Sequence, residues 1–300
     1  MKKKQLLSFF IGFGVVSLSF SLLYTFDIFD KDIEEESTPK YLKDGVLKIL
    51  SIGNSFSVDG LEYAYQIAND LGVENIEIGN LYIGGCCLSK HLTNAQNDSA
   101  SYTYYYNDSG TWTTTNNYKI STAVSSKNWD FITFQQCSNY SGVEDTYDDL
   151  VSLMEIVTPM CSSATFGWHM TWAYQSDSTH SAFANYDNDQ QTMYNAIINS
   201  VKNKIVPNNK LKFIIPNGTA VQNARSSSLG DTLTRDGYHM SYDIGRYLTG
   251  LGYIATLTDL DITKIKYAPS GVDEIKKNIC IESVKNAIKK PFEITQSKYI

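Results

Sequence analysis

Five apolar runs of strand length, at 46–52, 76–83, 130–136, 164–172 and 211–216, recur along the chain, and stretches of helical spacing fill most intervals between them. The helical stretches lie at 61–71, 147–157, 189–205 and 242–257. A strand reaches a parallel neighbour only through a crossover of a dozen or more residues, which a helix supplies. The alternation therefore implies an α/β fold, a three-layer α/β/α sandwich with a central, mainly parallel sheet. In such sheets the functional crevice lies beyond the carboxyl ends of the strands, so chemistry is expected from residues that follow each run.

Two regions depart from the alternation. Residues 94–117 are polar and aromatic, with Tyr102, Tyr104, Tyr105, Tyr106 and Trp112, and are too long for an ordinary connection. They read as a decorated loop that offers an aromatic rim to a sugar ring or similar substrate. Near the C-terminus, Ser270 and Asp273 have capping-box spacing ahead of Ile275 and Ile279, which predicts an amphipathic helix in an extension, 261–300, packed on the main domain, 46–260.

Lys2, Lys3 and Lys4 precede an almost unbroken apolar run, so 1–26 reads as an export signal or a retained membrane anchor, with the rest of the chain outside the cytoplasm. Residues 27–45, which include Glu34, Glu35, Glu36 and Pro39, read as an acidic linker. Any membrane contact is expected through the N-terminal segment alone. The 300 residues carry 25 basic and 32 acidic side chains, a formal charge of -7, with no basic stripe in the body of the chain. A nucleic-acid partner is therefore not expected. Cys86, Cys87, Cys137, Cys161 and Cys280 are odd in number and lack zinc spacing, and they read as small buried residues. No metal and no cofactor are expected.

The first run ends in Gly53-Asn54-Ser55 ahead of a helix-like segment, the way a nucleophilic serine is presented at a strand-to-helix turn. Such a hydroxyl needs a base to take its proton and donors to receive an oxyanion. Far along the chain, Asp236 and His239 stand three residues apart across a Gly237 turn, so the carboxylate can hold one ring nitrogen while the other faces a serine.

Gly53-Asn54-Ser55, then Gly84-Gly85 after the second run, then Asp236-x-x-His239 resemble, in order and spacing, motif blocks of the SGNH, or GDSL-like, hydrolase superfamily over about 46–260. Similarity is greatest to a branch of secreted bacterial proteins with Gly-Asn-Ser-Phe-Ser at the first block. The resemblance implies a flavodoxin-like sandwich in which Ser55 is the nucleophile, His239 the general base and then acid, and Asp236 the group that orients it. It also implies an oxyanion hole from the Ser55 and Gly85 N–H groups, with Gly84 as the alternative donor to Gly85. The usual third-block Gly-x-Asn-Asp is absent, and Gln135 or Gln136 at the end of the matching run is expected to supply the third donor. Asn54 and the aromatic group Trp168, Trp172 and Tyr174 are the expected substrate contacts. The implied activity is that of a serine esterase removing acyl, above all acetyl, groups from a carbohydrate or related ester. A non-catalytic glycan-binding protein on the same fold is the alternative. Among the other histidines, His91 is expected to hold the Gly84-Gly85 loop, His169 to lie in the core or at the rim, and His180 to be solvated.

Overall fold

Each of the five apolar runs forms a strand, and the five pair in parallel. The computed structural model describes residues 45–300, so the export segment and all but the last residue of the linker lie outside the described residues. β1 (Leu47–Gly53) is buried on both faces at all but Lys48, as expected of a central strand in a covered parallel sheet. The stretch after it makes two short helices, α1 (Ser55–Leu61) and α2 (Ala64–Asp70), because Tyr63 leaves helical geometry at φ −103 and ψ 6. β2 (Ile76–Tyr82) and α3 (Leu88–Gln96) follow, then β3 (Tyr102–Asn107), β4 (Thr113–Tyr118) and α4 (Ile120–Ser125). The remaining elements are β5 (Phe131–Phe134), α5 (Asp149–Val157), β6 (Thr165–His169), α6 (Gln190–Ser200), β7 (Phe213–Ile215), α7 (Asn217–Arg225), α8 (Ile244–Thr258) and α9 (Glu274–Lys289).

The sheet order is β4-β3-β2-β1-β5-β6-β7. Numbered among themselves, the parallel strands run 2-1-3-4-5, the flavodoxin-like order, whose switch point lies between β1 and β5. α1, α2, α7 and α9 gather around α8, and α3 packs against α4 and α5 on the opposite face.

The expected loop at 94–117 is instead an antiparallel hairpin that extends the sheet beyond β2. Tyrosine favours strands, and the alternation buries Tyr102 and Tyr104, the latter stacked on Tyr118 with ring centroids 4.6 Å apart. Strands β5 and β6 end short of their apolar runs. β5 stops at Phe134 and β6 at His169, which puts Gln135, Gln136 and 170–174 in the crossing loops of the crevice. The helix at 189–205 is capped by Asp189, whose carboxylate accepts from Thr192 N, and its last turn, Val201–Ile205, is π-helical. The C-terminal helix is capped by Asp273 itself, which accepts from Lys276 N, so Ser270 is not the cap. Ile279 is buried while Ile275 is exposed, and α9 packs on α7 and α8 as part of the same body.

Candidate active site

Ser55 is the first residue of α1, two residues beyond the end of β1. Asn54 caps the helix in extended geometry, and its Oδ1 accepts from Phe56 N at 3.0 Å. Gly53 is required by close approach: a Cβ there would lie 2.6 Å from Ser57 Oγ and 2.8 Å from Gln135 Oε1. The turn thus packs backbone against the buried polar groups beneath it and leaves the Ser55 side chain at the crevice.

His239 Nε2 lies 2.8 Å from Ser55 Oγ, and His239 Nδ1 lies 2.7 Å from Asp236 Oδ2. Asp236 Oδ1 also accepts from the backbone N–H of His239 at 2.8 Å and of Tyr238 at 3.2 Å. Partial burial works against charge on Asp236, but hydrogen bonds from the His239 ring and backbone and the field of the imidazole outweigh it and hold the carboxyl below the ordinary carboxylate range. An ionised carboxylate only accepts, so Nδ1 carries the ring proton and Nε2 is left to accept from the Ser55 hydroxyl.

The loop that carries His239 is docked on α1 by a residue to which no motif pointed. Asp59, four residues after Ser55 and fully buried, receives Arg235 Nη1 at 3.0 Å, Arg246 Nε at 2.8 Å and Met240 N at 2.9 Å. Arg235 Nη1 also donates to Met240 O, and the Thr234–Met240 bridge closes the base of the loop. The sequence did hold a signal, a charged residue in the short apolar stretch after Ser55, because a buried carboxylate demands cationic partners.

Gly85 adopts φ +60, where a side chain is strained, and a Cβ there would meet nothing within 4 Å, so backbone conformation and not space demands glycine. Its N–H has no hydrogen-bond acceptor among the described residues. Asn54 Nδ2 donates to Cys86 O at 3.0 Å and ties this exposed loop to the cap of α1. The Ser55 N–H stands in the first turn of α1, where backbone N–H groups have no intrahelical partner.

The glutamines do not fill the expected donor role. Gln135 is fully buried, its Nε2 donates to Asn54 Oδ1 at 2.8 Å, and its Oε1 lies 3.2 Å from His169 Nδ1. Gln136 Nε2 donates to Thr146 O and Thr146 Oγ1, while its Oε1 accepts from Leu88 N and Cys137 N. A buried amide must satisfy its own hydrogen bonds, and these two do so inside the scaffold. Asn54 likewise spends its amide on the scaffold and is 1% exposed, so it positions the turn and does not contact substrate.

The aromatic group after β6 is also corrected. Trp168, Trp172 and Tyr174 are at most 1% exposed, which removes them as a stacking surface. Trp172 stacks on Phe56 at 4.4 Å and donates Nε1 to Tyr238 O at 2.7 Å, and so bridges the neighbours of Ser55 and of His239. Tyr174 donates to Ser138 Oγ and packs edge-on against Tyr238, and Trp168 packs on Tyr147.

His169 is a core residue between Gln135 and Asn217, whose Nδ2 lies 3.1 Å from Nε2, and burial pushes its pKa down to about 3. Burial does the same to His91, down to about 3; it pairs with the Tyr102 hydroxyl at 3.0 Å on α3, which follows the Gly84-Gly85 loop. His180 is not merely solvated: its Nδ1 accepts from Ala182 N, and its ring packs on Tyr238 and Tyr174. All five cysteines are free, four are buried, and Cys87 is half-buried. A hydrogen bond from Cys137 is the chief reason that the Cys87 thiol drops to about 5.

No curated protein matches the chain. A DUF4886 family protein from Bacteroides uniformis ATCC 8492, known from its crystal structure, is 37% identical, with a TM-score of 0.81 over 84% of this chain and 98% of its own. A candidate SGNH hydrolase from Slackia heliotrinireducens is 19% identical, with a TM-score of 0.48 over 71% of this chain and 99% of its own. A candidate GDSL-like lipase from Parabacteroides merdae ATCC 43184 is 12% identical, with a TM-score of 0.47 over 72% and 98%. Likenesses at that distance carry no argument about activity. The profile of DUF4886, a domain of unknown function, matches residues 48–287, and on that span the chain belongs to the DUF4886 family.

Proposed function

We propose that this protein is an extracytoplasmic serine esterase that removes acetyl groups from a carbohydrate. The observation that carries the reading is the unbroken hydrogen-bonded line Ser55–His239–Asp236, drawn together from positions 184 residues apart. Ser55 Oγ attacks the ester carbonyl as His239 Nε2 takes its proton, and the Ser55 and Gly85 N–H groups receive the developing oxyanion. When the tetrahedral adduct collapses, the imidazolium returns the proton to the departing sugar oxygen and leaves acetyl on Ser55. Water then attacks the acyl-enzyme, again deprotonated by His239, and acetate leaves as Ser55 regains its proton. Asp236 keeps the imidazole in the required tautomer and stabilises its positive charge. The extracytoplasmic placement is supported by Lys2–Lys4 and the apolar run after them. The purified domain is tested on p-nitrophenyl acetate and acetylated polysaccharides. Ser55→Ala is expected to lower kcat by about 10⁴-fold or more with an unchanged melting temperature, and hydrolysis that survives the substitution would remove the assignment.

A further inference from the structure

The β3–β4 hairpin folds back over α1 and leaves a cleft of about 240 Å³, lined by Val58, Glu62, Asn80, Tyr105, Trp112 and Thr114. Val58 and Glu62 follow Ser55 at three and seven residues, on the same face of α1, so the cleft opens one helical turn from the nucleophile. The hairpin tip is fastened in place: Trp112 Nε1 donates to Glu62 O at 3.4 Å, Gln66 Nε2 to Gly110 O at 3.2 Å, and Gly110 N to Asn107 Oδ1 at 2.8 Å. Tyr105 and Trp112 are partly exposed, and Thr114 is exposed at the mouth. Asn80 is 1% exposed, and its Oδ1 accepts from the Ser57 hydroxyl at 2.9 Å.

Two aromatic residues, an amide, a hydroxyl and a carboxylate together line the cleft, a set that matches a pyranose, whose C–H faces stack on rings while its hydroxyls both donate and accept. The volume lies below the ~300 Å³ at which pockets for larger ligands begin, the scale of one ring. The Glu62 carboxylate, paired with Arg246 Nη1 at 3.4 Å, disfavours an anionic ring. We propose that this cleft binds one neutral, non-acylated sugar ring next to the acylated ring presented to Ser55. The position of the acylated ring rests on the esterase reading above, whereas the affinity of the cleft does not.

The test therefore starts without chemistry. Ser55→Ala protein is titrated with xylotetraose, cellotetraose and chitotetraose, followed by tryptophan fluorescence and calorimetry. At least one of these is expected to bind, with affinity reduced roughly tenfold by Trp112→Ala and abolished by Thr114→Arg, which fills the exposed mouth without touching the core. Oligogalacturonate is expected not to bind. Binding to none of the neutral probes, binding indifferent to both substitutions, or equal binding of oligogalacturonate overturns the proposal. With Ser55 intact, Trp112→Ala is expected to lower kcat/KM about tenfold more on acetylated xylo-oligosaccharides than on p-nitrophenyl acetate; an equal fall on both means a structural role only. Retained binding with no ester cleaved would sink the esterase reading and leave the cleft standing.

Discussion

Asp236 serves His239 twice, through the ring nitrogen and through the backbone N–H, so the imidazole is fixed in both tautomer and orientation. Asp236→Asn preserves the shape but lets the amide donate to Nδ1, which moves the ring proton to Nε2 and removes the base. A fall in kcat of about 10⁴-fold on p-nitrophenyl acetate is expected, with little change in KM; a full-rate variant would show that His239 does not depend on the carboxylate. Cys87 offers a separate measurement. The hydrogen bond from Cys137 draws its thiol below the ordinary cysteine range and it is half-buried, while Cys86, Cys137, Cys161 and Cys280 are buried. Brief iodoacetamide treatment followed by peptide mass spectrometry is expected to label Cys87 first.

Between elements, the decisive contact is the docking of the 234–240 loop on α1. Asp59 holds Arg235 and Arg246 in the interior, and Tyr242 lies against both guanidinium groups at 4.8 and 4.9 Å. Removing one member of a buried ion cluster leaves uncompensated charge, so Asp59→Asn is expected to cost about 3 kcal/mol of unfolding free energy in urea melts and to lower kcat as His239 loses its register with Ser55. A stability loss under 1 kcal/mol would contradict that role. Trp172 acts between β6 and the turns that carry Ser55 and His239. Trp172→Phe keeps the stacking on Phe56 but deletes the donor to Tyr238 O, and stopped assays are expected to show kcat reduced several-fold, with thermal stability reduced by about 1 kcal/mol.

At the scale of the whole molecule, the stability of the fold depends on charge. Burial opposes ionisation of Asp231, but the Arg225 guanidinium at 2.7 Å, with Ser176 N and the Gln190 amide, more than offsets it and holds the carboxyl below its usual range. Asp236 is depressed in the same direction. A carboxyl whose folded pKa is lower than its unfolded value of about 3.9 stabilises the fold fully above that value and ceases to do so as the pH falls through the folded pKa. Melting temperature is therefore expected to decline below about pH 4, and Asp231→Asn to flatten that decline. The sequence by itself determined the layered parallel sheet, since apolar runs of strand length that alternate with stretches of helical spacing call for parallel strands joined by helical crossovers. It also determined the Gly53-Asn54-Ser55 turn and the Asp236/His239 pair, because the end of an apolar run and a three-residue spacing are local properties. Local pattern could not say where a side chain's partner lies. Gln135 finds Asn54 from 81 residues away and Asp59 finds Arg235 from 176, and those meetings exist only once β1, β5 and the α8 region are set side by side. Only the tertiary structure decided that the glutamines and tryptophans are scaffold, and that the aromatic insertion is a hairpin with a cleft beneath it, because burial is settled by what packs against a residue.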